Sequence, residues 1–371
     1  MSLRIGFWTP TSGGWLRNVD METERTPATF SHVKEIVQAA EELGFDLTLV
    51  PEVNLNDVRG FRGPVLDAWE LSAAIAAVTS RLEIMAAVRP GFHHPAQAAK
   101  AAATIDDISG GRFSLNVVSA WWEAEARQYG GIFSAHDERY DRTEEWVEVV
   151  DGLWRQTPFS YSGRFYQLEG TYLEPKPQVL PRFYAGGESE AGRAAISRFA
   201  DAYLMHGGTP EELSAKIADM RERRLAADRP PLESFGMAAY VIVRDTEEEA
   251  LAELDRITDV RSGPAYDSYL EFVGKSELDT RVGLRDYSVT NRGLRPNLVG
   301  TPDQVAQRIL EFERIGVDVL LLQFSPQLEE MKRFARDVFP LLEHLRPAQD
   351  ATPAHATTQH ATTSGRKPSH V

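Results

Sequence analysis

Short runs rich in β-branched and aromatic residues alternate along this chain with longer segments in which apolar residues recur every three or four positions. The first pattern fits strands and the second amphipathic helices. Strands are predicted at Leu3–Trp8, Phe45–Val50, Leu82–Val88, Phe113–Ser119, Arg182–Gly186, Ala202–His206, Met237–Arg244 and Val317–Phe324. Helices are predicted at Thr29–Leu43, Leu66–Thr79, Pro95–Ile108, Glu138–Arg155, Glu190–Phe199, Pro210–Ala227, Thr246–Ile257 and Leu328–Leu345. Alternating strands and helices imply a parallel sheet, because parallel neighbours need a crossover between them. Eight such units make an α/β fold of the (β/α)8 TIM-barrel type the expectation. A doubly wound open sheet is the alternative, but its usual GxGxxG first turn is missing from TPTSGGWLRN after the first strand.

Local punctuation supports this register. Gly44 and Gly110-Gly111 stand where helices should end, and Gly316 closes a helix opened by Thr301-Pro302. That helix precedes the last strand, so Thr258–Gly300 must be a long excursion. A second excursion, 158–181, alternates aromatic and polar residues and reads as a hairpin. Both are expected as insertions at the C-terminal face of one barrel domain, residues 1–347. From 348 to 371, Thr, Ala, Ser, His and Pro dominate without a period, so a disordered tail is expected, with His355, His360 and His370 as solvated side chains rather than metal ligands.

Composition narrows the function. The 371 residues are 42% hydrophobic and 26% charged, an ordinary globular balance. There is no apolar run of about 18 residues, as a membrane span needs, and the N-terminus lacks a secretory profile; a cytoplasmic location is expected, with no membrane. A net charge of −15 argues against a nucleic-acid groove. The absence of cysteine removes disulfides, thiolate metal sites and a thiol nucleophile. With no HxH or HxxxH spacing and no GxSxG elbow, neither a metal site nor a serine hydrolase is expected.

In a (β/α)8 barrel the chemistry sits where strands run out into loops. Those ends carry Trp8, Val50-Pro51-Glu52, Arg89 to His93, Asn116 to Glu125, Gly186-Gly187-Glu188-Ser189, His206, Tyr240 and Gln323. The Gly-Gly-Glu-Ser turn between a strand and a helix offers backbone N–H groups, a hydroxyl and a helix N-terminus to a phosphate. A tight βα turn uses glycine for its own geometry as well. Trp8, Trp15, Phe92, Trp121 and Trp122 fall on mouth segments, where they would wall a slot for a flat ring or simply pack the rim. His93, His94, His136 and His206 are proton-shuttle candidates or hydrogen-bonded structural residues.

Four separated runs carry a resemblance: ATIDDISGGRFSLNVVSAWW from Ala103, HDERYDRTEEW from His136, FYAGGESEAG from Phe183 and NLVGTPDQVAQRI from Asn297. In order and content they resemble the bacterial luciferase-like, flavin-dependent monooxygenases, in the branch of alkanesulfonate, dimethyl sulfone and pyrimidine oxygenases. The resemblance spans Leu3 to Leu345. It implies a TIM barrel that takes reduced FMN from a separate NAD(P)H-dependent flavin reductase, reacts it with O2 through a flavin peroxide, and assembles as a homodimer or homotetramer.

Carried over by motif, Asn116 would contact the isoalloxazine and Glu125 would lie in the flavin site. Arg139 and Tyr140 would reach the ribityl and phosphate region, Ser189 beside Gly187 would bind the phosphate, and Val50 and Pro51 would border the ring. Proline is unusual at that last position. Alkanesulfonate enzymes place a cysteine near the second strand end and an arginine and a histidine on the seventh strand; this chain has no cysteine, and Ala238 and Tyr240 hold the aligned places. Arg295 or Arg89 would have to replace the lost charge. With Trp8 and Trp121 beside them as substrate contacts, the expected substrate is a flat nitrogen heterocycle, attacked as by a riboflavin lyase or pyrimidine oxygenase. His206 or Tyr240 would move the proton. Cleavage of a C–S bond in an alkanesulfonate or dimethyl sulfone is the alternative; a non-catalytic flavin-binding protein and a deazaflavin-dependent dehydrogenase are more distant ones.

Overall fold

The computed structural model describes residues 3–16, 26–119, 122–133, 136–259, 270, 283–287 and 293–345. Trp121, most of the 258–300 excursion and the 348–371 tail lie outside the described residues. Eight parallel strands close into a barrel: β1 (Arg4–Trp8), β2 (Leu47–Val50), β3 (Glu83–Val88), β4 (Phe113–Val117), β7 (Phe183–Gly186), β8 (Ala202–Met205), β9 (Ser234–Tyr240) and β12 (Val319–Gln323). The ring closes where β1 pairs with both β2 and β12. Around it run α1 (Phe30–Leu43), α2 (Ala68–Val78), α3 (Pro95–Ser109), α5 (His136–Arg155), α6 (Glu190–Phe199), α7 (Pro210–Ala226), α8 (Glu247–Thr258), α10 (Pro302–Arg314), α11 (Gln327–Asp337) and α12 (Phe339–Leu345), with short α4 (Glu123–Tyr129) and α9 (Leu284–Tyr287) on loops.

The termini form for the anticipated reasons. Gly44 adopts φ 95° and Gly110 φ 70°, left-handed caps that other residues resist. Thr301 closes a capping box with Gln304 at the start of α10.

Three features depart from the sequence reading. The strand predicted through Arg244 stops at Tyr240, and β10 (Ile242–Val243) leaves the barrel to pair with β11 (Val299–Gly300). The returning end of the excursion captures its backbone: Tyr240 donates to the Gly293 carbonyl and Ile242 to that of Leu298. The last predicted helix divides at Val338 into α11 and α12, because Pro340 has no N–H to give the carbonyl of Arg336. The hairpin β5 (Phe159–Ser162) and β6 (Gln167–Thr171) forms as expected but joins α5 to β7, so it is rooted at the N-terminal end of the barrel, not at its mouth. Its tip climbs the outside of α5, where Glu145 accepts the backbone N–H groups of Arg164, Phe165 and Tyr166.

Side chains alternate strictly. Ile5, Phe7, Ile84, Val117, Tyr203 and Met237 enter the layer between strands and helices, while Leu47, Leu49, Met85, Tyr184, Leu204, Val319 and Leu321 fill the barrel interior. Below this apolar filling a polar plug joins Arg4, Glu83, Ser114 and Tyr184, with Ser114 Oγ 2.7 Å from Glu83 Oε1. Among the described residues this plug fills the N-terminal end of the barrel, which leaves the C-terminal face for a ligand. Among the described residues no helix is long and apolar enough to cross a membrane.

Candidate active site

The inward register fixes what the mouth presents. On β1, positions 4, 6 and 8 face the interior, ending in Trp8; on β4 the series ends in Asn116, on β9 in Tyr240, on β12 in Gln323, and just beyond β8 in His206. Trp8 Nε1, Asn116 Oδ1 and Gln323 Oε1 are buried and have no hydrogen-bond partner among the described residues. An unmet buried polar atom costs about 1–3 kcal/mol, so three of them at the C-terminal ends of inward-facing strand series mark where a polar-edged ligand would be satisfied. Trp8 is held firmly: Gln327 donates to its carbonyl at 2.8 Å and takes the Trp15 indole N–H at 3.1 Å, and the Trp15 ring meets Trp8 edge-on at 5.9 Å. Tyr240 is 1% exposed and packs with Leu16, Ile242 and Val299.

A second group of polar residues lies after β7. Ser189 caps α6, its Oγ accepting the Gly192 N–H at 3.1 Å, and Tyr140 brings its hydroxyl to 3.3 Å from that Oγ. A Cβ at Gly192 would stand 2.8 Å from the Tyr140 hydroxyl and one at Gly187 3.1 Å from Ile196. The turn therefore stays bare backbone at a helix N-terminus, the arrangement that takes an anion. Arg139, one residue before Tyr140, lies over the Phe133 ring at 4.6 Å. Glu188, between Gly187 and Ser189, would repel such an anion, but its carboxylate is buried and turned to Lys216 Nζ at 2.5 Å. Burial opposes its ionisation, yet His206 and Lys216 outweigh that and hold the carboxyl well below its ordinary range.

The remaining predicted residues take other positions. Arg89 is 1% exposed and clamped between two carboxylates, Glu52 at 3.3 Å from its Nε and Glu125 at its Nη1, with Phe92 stacked 4.2 Å from the guanidinium. Glu125 is fully buried and also accepts the backbone N–H groups of Asn54 and Leu55. His93 pairs with Glu52. The carboxylates fasten the β2 loop and α4 to the end of β3, so the Arg89 charge is already matched and Glu125 does not face the cavity as a free acceptor. Val50 faces the helix layer and Pro51 follows it at the strand end. Arg295 pairs with Glu212 at the start of α7.

The sequence reads Gln323 as a strand end but gives it no role, and it does not single out Gln327 or Lys216 at all. The parity of Val319, Leu321 and Gln323 was a usable signal for the first; Gln327 and Lys216 reach the site from helices that nothing in the sequence orients. Among the described residues no cluster of three or more His, Cys, Asp or Glu side chains is arranged to hold a metal ion.

A barrel plugged at its N-terminal end, with an aromatic mouth and a bare phosphate-type turn, defines a class, and comparison agrees. Residues 9–319 match the luciferase-like monooxygenase family, and the chain belongs to it. It is an enzyme, an oxidoreductase of the monooxygenase class. It is 35% identical over 368 residues to an FMNH2-dependent dimethylsulfone monooxygenase of Pseudomonas putida, across 95% of this chain and 99% of that one. Its fold is similar to that of EDTA monooxygenase from Chelativorans sp. BNC1 (TM-score 0.79, 20% identity, 93% and 94% of the two chains). A riboflavin lyase solved with modified FMN and riboflavin is comparable (TM-score 0.78, 23% identity, 93% and 92% covered). At those identities the two structures speak for the fold.

Proposed function

We propose that this chain is the oxygenase of a two-component system: it receives reduced FMN from a separate NAD(P)H-dependent flavin reductase and uses O2 to oxidise a small neutral sulfone of the dimethyl sulfone type. The observation that carries this reading is the 35% identity to the dimethylsulfone enzyme over nearly the whole of both chains. The flat nitrogen heterocycle expected from the aromatic mouth gives way to it, since the likeness to the riboflavin lyase is one of fold. The charges agree: Arg89 and Arg295, the two cations expected to meet a sulfonate, both carry carboxylate partners. An uncharged sulfone needs only donors and an apolar wall.

Reduced FMN is the cofactor and O2 the co-substrate. The residues fit that group: Tyr140, Gly187, Ser189 and the α6 N-terminus suit its phosphate, and the unmet atoms of Trp8, Asn116 and Gln323 suit the polar edge of its ring system. When bound, it supplies the electron pair that activates dioxygen. The chain positions and shields. Trp8 presents an indole N–H to an acceptor oxygen, Leu49, Leu204 and Leu321 close the floor against water, and His206 stands ready to move a proton. One oxygen atom enters a C–H bond beside the sulfonyl group and the other leaves as water. The resulting α-hydroxy sulfone parts into a sulfinate and an aldehyde, here methanesulfinate and formaldehyde.

The test is anaerobic titration with reduced FMN, then air, with dimethyl sulfone, methanesulfonate, uracil and riboflavin offered separately and products read by mass spectrometry. Formaldehyde and methanesulfinate from the sulfone alone are expected. Loss of the ribityl chain from riboflavin, or oxidation of uracil, would restore the heterocycle reading. Equal turnover of methanesulfonate would overturn the neutral-substrate argument, and tight flavin binding without any product would favour a flavin-binding protein.

A further inference from the structure

Glu188 is a puzzle if its turn receives a phosphate, because a carboxylate one residue from the anion site is electrostatically unfavourable. Burial of an ionised carboxylate is costly unless it is paired, so its position should serve something. It lies in the anion-binding turn, accepts Lys216 at 2.5 Å, and places Oε1 3.8 Å from His206 Nδ1. The turn is braced from beneath, where the Tyr203 hydroxyl donates to the Gly187 carbonyl at 2.9 Å and Arg193 donates to the carbonyl of Glu188.

His206 continues the inward series of Ala202 and Leu204 and stands at the mouth. Its Nδ1 is buried while the side chain as a whole is 39% exposed, so the exposed part of the ring is the edge carrying Nε2. A carboxylate beside Nδ1 holds the proton on that nitrogen and leaves the Nε2 lone pair facing the cavity. The 3.8 Å separation is longer than a hydrogen bond, so the carboxylate acts on the ring through its charge, which favours N–H on the nearer nitrogen.

We propose that Glu188 is a positioning residue that orients His206 with Nε2 toward the barrel mouth, where His206 accepts the proton released as the hydroxylated substrate parts. The step rests on the sulfone reading above. The O–H proton of the α-hydroxy sulfone passes to Nε2, the O–H electron pair becomes the C=O bond, and the C–S pair departs on the sulfinate. Nothing is oxidised or reduced in that step. Lys216 shares the carboxylate and compensates its buried charge, which also keeps it turned away from the anion at Ser189. One side chain thus serves both ends of the site.

The full chain with reduced FMN and dimethyl sulfone provides the test. His206→Ala should lower kcat by about 100-fold or more, the range for loss of a general base, and added imidazole should recover part of it. Glu188→Gln keeps the size and loses the charge; kcat should fall about 10-fold, as when a supporting partner of a histidine is removed. KM and the reduced-FMN Kd should stay within about twofold of wild type. In the double variant the loss should equal that of His206→Ala alone, since one residue acts through the other.

Losses that multiply in the double variant, or a Kd that weakens in step with kcat, would overturn the proposal and make Glu188 a support of the anion turn. A readout free of turnover separates this from the choice of substrate: 15N NMR of the imidazole should show the Nδ1–H tautomer in wild type and a mixture in Glu188→Ala. An unchanged tautomer would sink the pairing even if sulfone is oxidised. A shifted tautomer without sulfone oxidation would retain the pair and reject the substrate. Should Glu188→Ala fail to fold, Lys216→Met leaves the carboxylate in place and should preserve the tautomer.

Discussion

At the scale of single residues, a hydroxyl and an arginine mark what a sequence does and does not say. Ser189 is the N-cap of α6 and meets the Tyr140 hydroxyl, so its Oγ stands at the bare turn proposed for phosphate. Ser189→Ala should weaken reduced FMN by about 1.5–3 kcal/mol, the value of a hydrogen bond to a charged group, and anaerobic fluorescence titration measures it. The lost cap should also cost about 1 kcal/mol of stability, so a melting curve is needed beside the titration. Unchanged affinity would move the phosphate to another loop. Arg89 is the opposite case. Its residue type and strand-end position were legible, but its neighbours Glu52 and Glu125 arrive from two other segments and consume the charge. Whether a cation is free belongs to its surroundings, which one chain position does not encode.

Elements were readable where local chemistry acts alone. Caps at Gly44 and Thr301 end and begin helices through contacts within a few residues, and those boundaries follow from sequence. The break after Tyr240 did not, because the competing partners, Gly293 and Leu298, lie about fifty residues on. Contacts between elements also set their response to pH. Glu41, near the end of α1, accepts the backbone N–H groups of Ser80, Arg81 and Leu82 at the entry to β3. Partial burial works against its ionisation, but the N–H groups of Arg81, Leu82 and Ser80 win and hold the carboxyl at about 2, below the ordinary 4.5. A depressed folded value means the contribution is complete above 4.5 and disappears as pH falls toward 2. Glu41→Gln should therefore be less stable than wild type in urea at pH 7, with the gap clearly narrower at pH 3. A gap of the same size at the two pH values would show that the carboxylate's charge is not what ties α1 to β3.

The whole molecule depends on closing eight strands around a filled interior. Gly6 sits in the first strand where an added Cβ would be 2.5 Å from Leu47 Cγ, so the approach of β1 to β2 leaves no room for a methyl group. Gly6→Ala should destabilise the barrel by about 1–3 kcal/mol, as overpacking does, lowering the melting temperature without touching the mouth. A neutral result would mean that Leu47 finds another rotamer without strain. At this scale the family, the eight-unit alternation and the mouth segments that carry the site were all present in the sequence, because hydrophobic period and helix caps are local and the family motifs are contiguous. The sequence also singled out Asn116, Tyr140, Ser189 and His206, and the fold sets Asn116, Ser189 and His206 at or just beyond C-terminal strand ends, with Tyr140 beside Ser189. Only the folded barrel decided that Asn116 Oδ1 is left unmet, which charges cancel, that the hairpin stands outside the mouth, and that Glu188 turns toward Lys216 with His206 close by. Those outcomes are pairings between distant segments, fixed when the ring closes and each buried polar group must find a partner among whatever neighbours the closure brings.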